Sequence, residues 1–458
     1  MSDTQAIAQG LQTPGDVDIQ QLYLVTPRGK IINLDSYLVE FNIYEDIFNK
    51  TMTGDILLSD SRNLIKELPI LGDEFIVIRI KTPGFDERDI INKTFRITSI
   101  TDRKTFPSIY ILNFTSIEDI MDIVSPIYKS FSGEVSAIVQ QIFFDYIQNS
   151  KGYVIENLNN ETILKNSDKT KIVILTETSN KIKFVSPGWT PFKCLSWLCS
   201  RAIPKEGKAC NFLFYETNKF FVFGSMETIF RLGRISNYSI GTYHYNPPGV
   251  YKTVETNKKM FVIEDLAIIS SSNSLDSYSR GHYGSTVFSI DLINKNYEEI
   301  IYDHITEYKK YEHLSGLNAF PFYSQPVRNL DSSKIVYINQ PGLHSNIEGN
   351  ANEKYPYIHG NRTSNLFELT NFRMKITIPG RTDIVVGSLM DIIFPEVSPR
   401  DDRDITKHED KLFSGKYLIS AIRHKINPVR HYMILEVVKD GLQNDNRPTN
   451  PTVFTDVL

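Results

Sequence analysis

Three thiols and nine imidazoles are the side chains of this 458-residue chain with the clearest capacity for metal or nucleophilic chemistry. Cys194 and Cys199, in "KCLSWLC", could begin a metal site. No third or fourth ligand stands near them at metal spacing, so they read as small apolar residues on one helix. With Cys210 they make a poor disulfide framework for a chain this long, as expected of a protein made in reducing cytoplasm. The histidines are scattered. His424 and His431 flank the turn of the last hairpin and read as exposed turn residues. No Gly-x-x-x-x-Gly-Lys-Ser/Thr loop, His-Glu-x-x-His helix or Gly-x-Ser-x-Gly elbow occurs. Carboxylates are abundant, but none forms a constellation that singles out a glycosidase pair. The catalytic, cofactor and metal expectations are therefore all none.

The elements explain what these residues are embedded in. At 41% hydrophobic the chain can build packed cores, and its length calls for two to four of them. A formal net charge of −4 does not suit a chain that grips nucleic acid. The polar start "MSDTQAIAQG" is no signal peptide, and no run of 18 apolar residues predicts a membrane span.

From Gln21 to Thr115 short strands alternate with tight turns: "QLYLV", "YLVEFNI", "TGDILLSD", "DEFIVIRI", "TFRITSI" and "SIYILNF". This predicts a small antiparallel barrel or sandwich. The period then changes. Val135, Ile138, Val139, Ile142, Phe143, Tyr146 and Ile147 share one helical face, with Ser132 as N-cap. A second helix starts at Thr190-Pro191, a capping residue followed by proline at the first helical position, with Trp189 and Trp197 as core anchors. "NFLFYETNKFFVFGS" is too apolar for a solvated hairpin and must be covered by distant pieces. "FVIEDLAIIS" and "STVFSIDLI" read as strands, "NYEEIIYDHITEYKKY" as an amphipathic helix and "NQPGLHSNIEGNANEKYPY" as a long loop. Strands return from 361 to 442.

One strand pair occurs twice. "NKTFRITSITDRKTFPSIYILNF" and "SGKYLISAIRHKINPVRHYMILEVV" align Phe95 with Tyr417, Ile97 with Ile419, Ile100 with Ile422 and Tyr110 with Tyr432. Upstream, "LPILGDEFIVIRI" parallels "DIVVGSLMDIIFP", each strand entered through Gly72 or Gly387. The second copy lacks strands in its own neighbourhood, and the hairpin at 211–224 is expected to supply them.

Several stretches together resemble one family. "YEDIFNKTMTGDILLSDSRNLIKELPILGDEFIVIRI", "GWTPFKCLSWLCSRA" with "FLFYETNKFFVFGS", "GHYGSTVFSIDLINKNY" and "FRMKITIPGRTDIVVGSLMDIIFP" follow the order seen in baseplate hub proteins of contractile-tailed, T-even-type phages. These are related to the hub part of secretion-system spike proteins. The resemblance covers residues 20 to 442. It implies a mainly β, α+β fold: two tail-tube-like antiparallel β-barrels with inserted mixed domains. The expected division is a flexible segment (1–19), a first barrel (20–116), a helical and mixed domain (117–204), a second barrel (205–240 plus 361–442), an insertion (241–360) and a tail (443–458).

The resemblance further implies a non-enzymatic homotrimer in the virion tail baseplate, synthesised in the host bacterial cytoplasm. Three chains of two barrels would present six similar units, adapting a threefold central spike to a sixfold tail tube. Expected partners are the spike protein, the tube initiator and tube proteins, the tape measure protein and the baseplate wedge. DNA would pass only in transit, and no membrane binding is expected. No fused needle or lysozyme-like domain is visible. The alternatives are a needle-less relative of the secretion-system hub-spikes and a multidomain all-β glycan or peptidoglycan hydrolase.

Overall fold

The architecture is that of a computed structural model, which describes residues 13–60, 70–105, 108–148, 154–156, 162–165, 171–233, 239–245, 260–270, 279–282, 284–292, 295–308, 310–314, 334–338, 355–395, 409–410 and 412–441. The expected N-terminal segment (but for residues 13–19), residues 396–408 and the expected C-terminal tail lie outside these residues. The fold is mainly β and is dominated by one 14-stranded sheet with two curled lobes.

The first lobe contains β1 (Asp18–Val25), β2 (Ile31–Asn33), β3 (Leu38–Asp46), β4 (Thr53–Ser59), β5 (Phe75–Lys81), β6 (Ile91–Thr105) and β7 (Ser108–Ser116). Its strand order is β2–β1–β5–β6–β7–β4–β3, antiparallel throughout. Period-two alternation aims Ile56, Leu58, Ile76, Ile78, Phe95, Ile97 and Phe114 into one core, where Phe41 stacks on Phe114 at 5.4 Å. The opposite face of β5 is not left wet: Phe75 and Val77 meet Val25 in a small second cluster.

A helical and mixed region follows: α1 (Ile117–Val124), β8 (Ser130–Glu134), α2 (Val135–Phe143), β9 (Val154–Glu156), β10 (Thr162–Lys165), β11 (Ile172–Ile174), β12 (Lys181–Val185) and α3 (Pro191–Cys199). The predicted apolar face of α2 is buried at Val135, Ile138, Val139, Ile142 and Phe143. The N-cap is Glu134 and not Ser132, because Ser132 lies within β8, which pairs with β12. Helix α3 starts where its Thr190-Pro191 signal places it.

Next come β13 (Phe212–Glu216), β14 (Phe221–Ser225) and α4 (Met226–Gly233). The phenylalanine-rich hairpin was expected to lend its strands to the second copy of the repeat. It instead pairs with β11, in the order β11–β14–β13. Every residue of both strands is buried. Phe212, Phe214, Phe221 and Phe223 pack on the helical core, whereas Leu213, Tyr215 and Val222 pack on the core of the second lobe. The hairpin is a partition between two cores, so neither face can be polar.

The strands that complete the second lobe come from the expected insertion: β15 (Ser239–Tyr245), β16 (Val262–Ile263) and β17 (Asp265–Ser270). After β18 (Gly284–Asp291), β19 (Asn296–Asp303), α5 (His304–Tyr308), β20 (Lys334–Ile338) and α6 (Tyr355–Asn371) come β21 (Phe372–Pro379), β22 (Leu389–Ile393), β23 (Gly415–Ile426) and β24 (His431–Lys439). Strand β15 pairs with β22 and β16, and β17 pairs with β21. With β22–β23–β24–β21, the pairing returns to its start through the short step at Glu264 between β16 and β17.

Two local expectations change here. Residues 296–311 are not one helix: β19 pairs with β18 over 296–303 before α5 begins, and the charged residues stand on an exposed strand face. Helix α6 was read partly as loop and partly as strand. Its buried positions include Asn361, Ser364, Asn365 and Glu368, so its inner face carries no apolar stripe to detect. Asn361 accepts the Cys210 backbone N–H at 3.0 Å, and Asn365 donates to the Asn361 carbonyl at 2.9 Å.

The two lobes share a pairing order. In the first it runs β5–β6–β7–β4–β3; in the second, β22–β23–β24–β21–β17. Phe95 faces Ile76, and Tyr417 faces Met390. A register shift falls between Ile97 and Ser99 in β6 and between Ile419 and Ala421 in β23. Ile100 then faces Leu112, as Ile422 faces Leu435. The Tyr110–Tyr432 alignment does not survive this register. The connection in the second lobe is one residue longer, so Met433 stands at the ladder position of Tyr110. Tyr110 and Met433 are buried, whereas Tyr432 is only partly covered. A one-residue slip moves a strand side chain to the other face.

Candidate functional site

Side chains with reactive potential are largely inside the protein. All three cysteines are buried, and burial pushes the Cys199 and Cys210 thiols up to about 12, far from the thiolate form a nucleophile needs. Cys194 shares a 3.3 Å hydrogen bond with Ser186. Among the described residues no three His, Cys, Asp or Glu side chains are grouped to hold a metal ion. A cleft between α2 and β11 is lined by Ala137, Gln140, Gln141, Phe144, Gln148, Lys171, Ile172 and Val173. That lining offers amides and one cation but no carboxylate or imidazole. Among the described residues no helix is long and apolar enough to cross a membrane.

The most densely bonded polar site is the joint between the lobes. The second half of β23 pairs antiparallel with β3, from Ala421 opposite Asp46 to Ile426 opposite Phe41. On one face Glu40 receives Arg423 and Lys425, each at 3.1 Å. Burial works against the Glu40 carboxylate, but Asn42, Lys425 and Arg423 more than offset it and hold its pKa below the usual carboxylate value. Arg423 also donates to Asn42 at 2.9 Å, and Asn42 and Tyr44 both donate to Asp55 on β4. Burial, followed by the Asp55 hydrogen bond, pushes the Tyr44 phenol up to about 12.

The inner face of the joint corrects the reading of the histidines. His424 and His431 are wholly buried, not exposed, with rings 5.2 Å apart and facing nitrogens at 3.1 Å. His424 Nε2 lies 3.1 Å from Glu45 Oε1. Glu45 Oε2 accepts backbone N–H groups from Asn218 at 3.3 Å and Val386 at 3.5 Å. One carboxylate therefore touches β23, the β13–β14 turn and the approach to β22. Burial and the neighbouring His424 hold the His431 pKa well below the usual histidine value. No sequence spacing marks this cluster, because its carboxylate lies nearly 400 residues away along the chain. The one available signal was that His424 and His431 are seven residues apart across a short turn, at the spacing of cross-strand neighbours.

Further clamps fix the lobes. Thr82 and Thr382 exchange backbone N–H to hydroxyl hydrogen bonds at 3.2 and 3.0 Å. Arg381 forks onto Asp383 at 3.0 and 2.7 Å and lies over the Phe85 ring at 5.5 Å. Glu216, on the partition hairpin, accepts Met52 N–H at 2.9 Å, Ser116 Oγ at 2.5 Å and Lys93 Nζ at 2.8 Å, all from the first lobe. These contacts are suited to holding two sheets at a set angle. Of the residues singled out by the repeat, Phe95, Ile97, Tyr110, Tyr417, Ile419 and Ile422 are buried in their lobe cores, Ile100 is partly buried, and Tyr432 faces away.

Two stretches of sheet edge lie beyond the joint. Among the described strands, β6 beyond Ile97 pairs only with β7, and β17 pairs only with β21. Ile268 and Ile269 on β17 are about half exposed, at 49% and 47%. Neither edge was identified from the sequence. Strand β4 is paired on both sides and Ile56 is fully buried.

No known protein-family model matches the chain. Over 435 residues it is 21% identical to the probable baseplate hub protein gp334 of Vibrio phage KVP40, covering 90% of this chain and 92% of that protein. Its fold is similar to that of a tail protein from Neisseria meningitidis MC58, with TM-score 0.53 and 12% identity over 92% of this chain and 97% of that one. It is also similar to the 43 kDa tail protein of prophage MuSo2 from Shewanella oneidensis, with TM-score 0.50 and 11% identity over 92% of this chain and 99% of that one. The chain thus resembles a probable phage baseplate hub protein through most of its length, and its mainly β fold is similar to those of two tail proteins.

Proposed function

We infer that the chain is a structural baseplate hub protein of a contractile phage tail, residing in the virion's tail baseplate and performing no catalysis. In this reading the two lobes are duplicated tube-like units, and three chains close a ring of six. The ring joins a threefold spike to a sixfold tube and leaves a channel for DNA. The observation that carries the reading is the recurrence of one pairing order and one register shift in both lobes, coupled edge to edge by β3 and β23. A chain that already sets two similar units side by side can continue the same contact to a neighbouring copy and close after three. The formal net charge of −4 suits a channel wall that must release DNA rather than hold it. The spike protein, tube initiator, tube proteins, tape measure protein and baseplate wedge are the partners this reading assigns.

Mass photometry of the full chain, alone and with its spike protein, tests it. Three chain masses are expected. Only monomers or dimers in both conditions would overturn the ring. Peptidoglycan hydrolysis abolished by a single carboxylate substitution would instead favour a hydrolase.

A further inference from the structure

We propose that the exposed edge of β17 in one copy pairs antiparallel with the outer half of β6 in the next copy, repeating between chains the β3–β23 joint that is built within each chain. This rests on the trimeric reading above and specifies which edges meet and in what register.

The ladders give the correspondence. Phe41 faces Ile56, which faces Leu112 and through it Ile100. Leu266 faces Ile376, which faces Leu435 and through it Ile422. Leu266 therefore stands on β17 where Phe41 stands on β3. By the same count Asp265 stands where Glu40 does, Ala267 where Asn42 does and Ile268 where Ile43 does. On the other side Thr101 faces Ile111 as Arg423 faces Ile434, and Lys104 faces Ile109 as Lys425 faces Tyr432. So β17 offers the backbone that β3 offers, and β6, but for an irregularity between Thr101 and Lys104, the backbone that β23 offers. Within the chain the second half of β23 is occupied by β3; the matching half of β6 has no such strand among those described.

Two side-chain observations agree. Ile43, on the paired strand, is fully buried in the first-lobe core, while its counterpart Ile268 is 49% exposed. An exposed isoleucine pair on an edge with no partner among the described strands is a surface that a strand of a second copy would cover. The charge pattern also repeats. Glu40 binds Lys425 across the joint, and the corresponding positions hold Asp265 and Lys104. A second register shift between Thr101 and Lys104 makes β6 locally irregular where β23 is regular. Lys104, beyond that shift, is in step with Lys425 again and is expected to face Ala267 of the neighbouring copy.

Cysteine trapping tests the register in the full chain. The native thiols are buried and leave a low background. Under mild oxidation the Lys104→Cys/Ala267→Cys variant is expected to give covalent trimers on non-reducing gels, at least tenfold above either single variant. An equal mixture of the two single variants should give covalent dimers only. Ser99→Cys/Ala267→Cys serves as the out-of-register control. Asp265→Lys, at an exposed position, is expected to raise the concentration at which trimers dissociate about tenfold, and K104D in the same chain should restore it. If trimers form by mass but the designed pair does not cross-link, or the control pair links equally well, the edge pairing is overturned and the ring reading stands. A chain that remains monomeric at every concentration, with or without its spike, overturns both.

Discussion

Replacing Glu216 by alanine would unpick the contact between the partition hairpin and the first lobe. The side chain is fully buried and ends on three donors: Lys93 Nζ, Ser116 Oγ and the Met52 backbone N–H. Removing one partner of a buried ion pair costs about 3–5 kcal/mol, because the remaining charge is left desolvated. Two features place this case at the lower end. The Lys93 side chain is 15% exposed and can recover some water, and the Ser116 hydroxyl has a second acceptor in the Met52 carbonyl at 3.2 Å. The Met52 N–H has no such relief, and an orphaned buried donor costs about 1–3 kcal/mol. A loss of about 3 kcal/mol is therefore expected. At a urea slope of about 3 kcal/mol/M that is a midpoint lower by about 1 M. Trp189 and Trp197 both pack against the core on the far side of the hairpin, so their fluorescence reports the affected transition, with far-UV circular dichroism following the rest. Lys93→Met with Glu216→Leu should recover much of the loss, since matched apolar groups can replace a buried pair. A single-variant loss below about 1 kcal/mol, or a double variant no more stable than Glu216→Ala, would refute the argument.

Acid should loosen the protein well before its carboxylates protonate. Burial holds His282 and His304 down at about 3 and His431 well below its usual value, so the unfolded chain takes up protons that the folded one refuses. That stability is complete above about pH 6.5 and is lost as pH falls towards 3; at pH 5 it amounts to about 2 kcal/mol for each of His282 and His304, and a urea midpoint unchanged between pH 7.5 and 5 would contradict it. Gly387 and Gly72 both adopt positive φ, at +81° and +96°, but a Cβ on Gly387 would strike the Tyr215 hydroxyl whereas one on Gly72 meets only carbonyls at 4.0 Å. Gly72→Ala should cost about 1–2 kcal/mol in thermal or urea unfolding from conformation alone, and Gly387→Ala clearly more. Tyr110→Ala should cost about 3–5 kcal/mol and Tyr432→Ala less than about 1 kcal/mol; equal losses would restore the alignment of these two tyrosines.

The sequence by itself determined the local vocabulary of this protein. Period-two runs marked the strands of the first lobe, the 3.6-residue face marked α2, and Thr190-Pro191 marked the start of α3. These signals are local because backbone geometry and capping act within a few residues. The ordered stretches also pointed to hub proteins, and the repeated strand pair was visible through Phe95 and Tyr417. Tertiary structure decided which strands complete each lobe, because an open sheet edge accepts any backbone of suitable length and direction and no side-chain code names it. It decided that the 212–225 hairpin separates two cores, that polar α6 is buried, and that His424, His431 and Glu45 meet at the lobe joint. It also decided that Met433 replaces Tyr432 opposite the first-lobe pattern: one extra residue in a turn is faint in an alignment, yet on a pleated strand it exchanges the buried face for the exposed one.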